Sequence, residues 1–138
     1  MPTKKKTSFS LLELIIVMVI IGILSTLSVR QYNTSREKAL AYEAKSNLKL
    51  VAAAEKVYRL EMDFFFPFST TSWSLNEINT NLKLSLTERN WRWSISGSGS
   101  ASFTTTADRD GSGGYLDCNY RITNTSSDAV AVDPSKCP

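Results

Sequence analysis

Histidine is absent from the 138 residues, cysteine occurs twice and proline four times. Without histidine the commonest metal ligand and general base are missing, and two cysteines alone do not complete a zinc site. The serines have no evident base beside them, and the carboxylates scatter over helix faces and turns. Nothing brings a nucleophile, a base and an oxyanion site together, so an enzyme is not expected. Glycine and proline are both missing from Gln31 to Met62, where nothing interrupts a helix. Charge is missing elsewhere: from Phe9 to Val29 the one ionisable acid is Glu13, with no base and no proline.

An apolar run of that length crosses a bilayer as a helix, for which about 20 residues are needed. Lys4, Lys5 and Lys6 immediately before it would keep the N-terminus on the cytoplasmic side. A secretory signal peptide is the competing reading, with a shorter apolar region and a small-residue cut site. Gly22, Ser25 and Ser28 are small, but cutting there would discard Glu13. A carboxylate inside a membrane helix costs roughly 2.5–3.5 kcal/mol and so calls for a partner and a function. Arg30 lies about 25 Å away along a helix, at the far end of the run. The partner must come from outside this stretch, and a new α-amine made by cleavage near Phe9 would be a cation at the right depth.

The segment Ser8-Phe9-Ser10-Leu11-Leu12-Glu13-Leu14-Ile15, behind its basic leader, resembles the processing site of type IV pilins and of the pseudopilins of type II secretion. The resemblance implies that a prepilin peptidase cuts between Ser8 and Phe9, that the Phe9 amine is methylated, and that Glu13 guides assembly by pairing with that amine on an adjoining subunit. The family usually has glycine before the cut, and Ser8 is its small replacement here. The proline the family often carries after the apolar run is absent near Arg30, so the helix has no built-in kink there. Losing Lys4–Lys6 with the leader leaves 13 basic and 13 acidic side chains. That balance argues against a specific nucleic-acid partner and suits subunits that pack against copies of themselves.

Beyond Val29 the pattern turns amphipathic. Leu40, Ala44, Leu48, Val51, Ala54, Tyr58 and Met62 recur at steps of three and four, opposite Lys38, Glu43, Lys45, Lys49, Glu55, Arg59 and Glu61. A continuous helix over 9–62 would be about 80 Å long. Pro67 ends it, and the Phe64–Phe68 cluster reads as a plug for the corner, with a binding patch as the sharper alternative. Ser74-Leu75-Asn76-Glu77 reads as a capping box opening a short helix to about Asn79. From Asn90 the period becomes two, with strands around Trp91–Ile95, Ala101–Ala107 and Leu116–Ile122 and a turn at Gly97–Ser100. Trp91 and Trp93 read as core residues ahead of a base-stacking platform.

Cys118 and Cys137 lie in the region a single span would place outside the cytoplasm, where a disulfide is favoured, worth roughly 3 kcal/mol. Asp108 and Asp110 on the Gly111–Gly114 loop, with Asp117 beyond, are weak calcium candidates. The spacing is not that of an EF-hand, and a hairpin turn explains the same glycines.

The expected fold is α+β: a long N-terminal helix, half membrane and half amphipathic, packed on a small antiparallel sheet as in pilins. The expected divisions are a leader at 1–8, a membrane and polymerisation helix at 9–29, and an extracytoplasmic domain at 30–138. The family implies a homopolymer built from an inner-membrane pool, with the prepilin peptidase and an assembly platform as partners; no cofactor is expected from the residues, calcium being the one candidate, which the resemblance to pseudopilins favours slightly. A type IV pilus subunit is the leading expectation, because the C-terminal cysteine pair resembles the clasped loop of pilins. A major pseudopilin is the alternative, and an uncleaved single-span protein with a small partner-binding domain is the second.

Overall fold

The computed structural model describes residues 10–110, 115 and 117–138, without the side chains of 26–30. The chain divides into two compact units, Met1–Arg36 and Glu37–Pro138. Helix α1 runs over Leu11–Met62 with no glycine or proline to break it after Gly22. In the first unit its large apolar side chains, from Leu11 to Leu24, are 49–77% exposed. Among the described residues no helix is long and apolar enough to cross a membrane. The span expected over 9–29 extends past them, since Phe9 and the side chains of 26–29 lie outside the described residues.

In the second unit one stripe of α1 is buried on the sheet: Ala41, Ala44, Leu48, Val51, Ala52 and Glu55. This corrects the expected stripe. Leu40, Ala54 and Tyr58 are only partly buried and Met62 is 50% exposed, whereas Glu55, assigned to the polar face, is fully enclosed. Continued back to half-buried Glu37, the line steps 37, 41, 44, 48, 51, 55, alternating four and three, so geometry puts Glu37 and Glu55 on the core face. The helix stops at Asp63, whose φ of 67° is left-handed and whose N–H bonds to the Arg59 carbonyl. Phe65 and Phe66 then turn inward; Phe65 meets Phe103 with ring centroids 4.9 Å apart. The corner-plug reading holds for these two, while Phe68 stays 59% exposed.

The sheet has five antiparallel strands in chain order: β1 Thr71–Ser72, β2 Trp91–Ser98, β3 Ser102–Arg109, β4 Asn119–Thr123 and β5 Val130–Ala131. Three strands were expected. The two additional edge strands are two residues each, too short to leave an alternating pattern. β2 also runs on to Ser98, and the turn moves to Gly99, whose φ of 59° suits glycine. Trp91, Trp93, Ile95, Phe103, Ala107, Tyr120 and Ile122 fill the helix-facing side. Trp91 donates its indole N–H to the Leu40 carbonyl (3.1 Å) and Trp93 to that of Thr87 (3.0 Å), so both are core residues, not a stacking surface.

Helix α2, Leu75–Asn81, starts where the capping sequence places it, Ser74 Oγ accepting from the Glu77 N–H at 3.3 Å. The Glu77 carboxylate instead accepts from Ser72 Oγ at 2.7 Å, tying the helix to β1.

Candidate functional site: the N-terminal helix and the groups that set the domain on it

Glu13 lies in the first turn of α1, where the free N–H groups and the helix dipole favour an acid. No ion pair reaches it among the described residues. Ser8 and Phe9, the expected cut and methylation site, lie outside the described residues. The helix that follows presents apolar side chains all round, from Leu11 at 77% exposure to Leu24 at 59%. Such a surface exceeds what a soluble monomer leaves to water and calls for lipid or other helices. It offers no chemistry beyond burial, apart from the one carboxylate.

Within the second unit two acids of α1, half-buried Glu37 and buried Glu55, bind the helix to the rest of the domain, and the residue pattern had assigned neither to the core. Glu37 accepts both Nε and Nη2 of Arg109 at 3.2 Å, a bidentate pair with side chains 15% and 7% exposed. Arg109 also donates Nη1 to the Asn90 and Asp110 carbonyls at 2.8 Å and lies 5.6 Å from the Trp91 ring centroid. The pair thus joins α1 to the end of β3. Glu55 has no such cation. Its Oε2 accepts the Phe66 backbone N–H at 3.0 Å, while Oε1 has no hydrogen-bond partner among the described residues. Burial pushes its pKa from 4.5 up to about 7, and the Phe66 bond only partly opposes this. Extending the heptad step from Leu48 and Val51 would have found both acids.

Cys118 and Cys137 form a disulfide with Cα atoms 4.9 Å apart, within the usual range. It acts together with β5, where Tyr120 pairs with Ala131, to hold the last residues on β4. Of the calcium candidates, Asp108 is paired with Asn119 in the sheet, Asp110 donates its N–H to the Asn90 carbonyl, and exposed Asp117 lies 3.5 Å from Lys136 Nζ. Among the described residues no three His, Cys, Asp or Glu side chains group to hold a metal, and the loop 111–114 lies outside them.

A long N-terminal helix over a small antiparallel sheet is the architecture of a pilin-like α+β protein. Residues 3–29 match the prokaryotic N-terminal methylation motif. The chain is also 36% identical over 67 residues to the type II secretion system core protein G of Pseudomonas aeruginosa. That match covers 49% of this chain and 46% of the relative, so the chain spans about half the length of the protein it resembles. No solved structure matches it. Motif and relative together support membership of the type IV pilin and pseudopilin family.

Proposed function

We propose that this chain is a pseudopilin, a filament subunit of type II secretion. Its precursor sits in the inner membrane by the 9–29 helix behind the 1–8 leader, with the domain from residue 30 outside the cytoplasm. Prepilin peptidase cuts between Ser8 and Phe9, the Phe9 amine is methylated, and copies stack through their apolar helices. Glu13 sets the register by pairing with the Phe9 amine of a neighbour, because a misplaced subunit would leave two buried charges unpaired. The protein has no catalytic role of its own. The observation that carries this is the methylation motif at 3–29 leading into a helix whose large apolar residues to Leu24 are uncovered. The name of the relative supports secretion over a surface pilus.

The Cys118–Cys137 clasp favours a second reading, a type IV pilus subunit, since pilins often close their C-terminal loop in this way. Deleting the gene in its host separates the two. Loss of secreted proteins from the medium, with surface pili intact, is expected; pili lost with secretion intact would transfer the protein to the pilus. Mass spectrometry of the mature chain should find it starting at N-methylated Phe9, and a retained Met1 would refute both. Glu13→Ala should cut filament yield sharply without lowering the amount of precursor.

A further inference from the structure

Outside its core stripe, α1 carries opposite chemistry on its two flanks between Glu37 and Met62. Lys38, Lys45, Lys49 and Lys56 fall within about 40° of one another at 3.6 residues per turn, forming one basic flank. Leu60, 86% exposed, adjoins it. Lys45 is spent over the Tyr120 ring at 4.8 Å and Lys49 on Asp128. Among the described residues Lys38 and Lys56 have no ion-pair partner.

The other flank, about 100–140° round the helix, holds Glu43, Leu50, Val57 and Glu61. Leu50 and Val57 are 51% and 55% exposed and line a groove of about 310 Å³ closed on its far side by Leu82 and Leu84. Glu43 has no ion-pair partner among the described residues, and Glu61 has a long, exposed contact of 3.6 Å with Lys83.

The spacing on the two flanks is the same. Lys38 to Lys56 is five turns, about 27 Å, and so is Glu43 to Glu61. If two parallel copies lie side by side with one advanced five residues, about 7.5 Å, Lys38 faces Glu43 and Lys56 faces Glu61 together. Leu50 and Val57 then lie between the two ion pairs, covered by the neighbour. We propose that the lysine flank of α1 in one subunit docks on the flank of the next that carries Glu43, Leu50, Val57 and Glu61. The contact joins unlike surfaces and advances about 7.5 Å along the helix with each copy, so it cannot close into a ring and repeats as a filament requires. Balanced charge within each subunit leaves this local complementarity as the electrostatic guide to register. The proposal rests on the filament reading above and adds which faces of the domain meet.

Charge reversal in the full-length chain, expressed in its own host in place of the wild type, tests this. Lys38→Glu with Lys56→Glu should lower the yield of sheared filaments about tenfold, and Glu43→Lys with Glu61→Lys should do the same. All four changes together should bring the yield back to within about threefold of wild type. Reversals that assemble normally, or a fourfold variant no better than either pair, would overturn the docking. So would a defect confined to the lysine pair, because that flank would then be meeting a lipid headgroup or another anionic surface. A second measurement does not depend on yield. Both native cysteines are in the disulfide, so Lys38→Cys with Glu43→Cys adds the chain's free thiols. Oxidation should give a ladder of covalent oligomers from the double variant and monomer from each single one; monomer throughout, in filaments that form, refutes the contact. A wild type that makes no filament at all would instead refute the filament reading.

Discussion

Replacing Glu55 with glutamine should stabilise the domain at neutral pH and leave it unchanged in acid. Glu55 is fully enclosed between α1 and the Phe65–Phe66 turn, and its pKa is pushed up to about 7 from 4.5. The neighbouring cations do not neutralise it: Arg59, one turn on, stacks 4.8 Å from the Phe65 ring centroid, and Lys49 and Lys56 lie on the exposed flank. Below pH 4.5 the carboxyl is protonated folded or unfolded, and it contributes no pH dependence. Between pH 4.5 and 7 the unfolded chain releases this proton while the folded chain keeps it, so stability falls as pH rises. The gap of about 2.5 pKa units corresponds to roughly 3 kcal/mol lost by pH 8. Glutamine keeps an oxygen for the Phe66 N–H and cannot ionise. Guanidinium unfolding of the detergent-solubilised chain, followed by circular dichroism at pH 4, 6 and 8, measures the difference. The variant should match wild type at pH 4 and exceed it by about 3 kcal/mol at pH 8, on the order of 10–20 °C in Tm. Parallel pH profiles for the two proteins would refute the reasoning.

Replacing both Cys118 and Cys137 with serine should cost roughly 3 kcal/mol in the same unfolding assay, and protease should then cut first within 130–138. Gly97→Ala would put its Cβ 1.8 Å from the Pro67 carbonyl oxygen, so the backbone must shift and the Gly97 bond to Thr70 weaken. A loss of about 2–3 kcal/mol in denaturation midpoint at unchanged m-value is expected. Arg109→Leu strands Glu37 without its partner and should cost about 3–5 kcal/mol, while Arg109→Leu combined with Glu37→Leu should recover most of it in a double-mutant cycle.

Local signals in the chain carried the elements whose cause is local. Uninterrupted apolar and then amphipathic spacing announces α1, Ser74 and Glu77 announce the start of α2, and period-two alternation announces β2 and β3. The disulfide was legible for a related reason, since two cysteines in a domain expected outside the cytoplasm have few alternatives. Edge strands β1 and β5 were not legible, because two residues hold no period, and their pairing is chosen by the strands beside them.

The motif at the N-terminus and the helix it opens are written in residue order, because a short motif and a helical period are set by near neighbours alone. Which glutamates lie inside is not written there. Glu37 is half-buried because Arg109, 72 residues away, closes over it, and Glu55 is enclosed because the Phe65–Phe66 turn folds back on it and offers one N–H. Desolvation depends on everything packed around a carboxylate, so the charge that a sequence pattern assigns to the surface is decided only once the chain has folded over it.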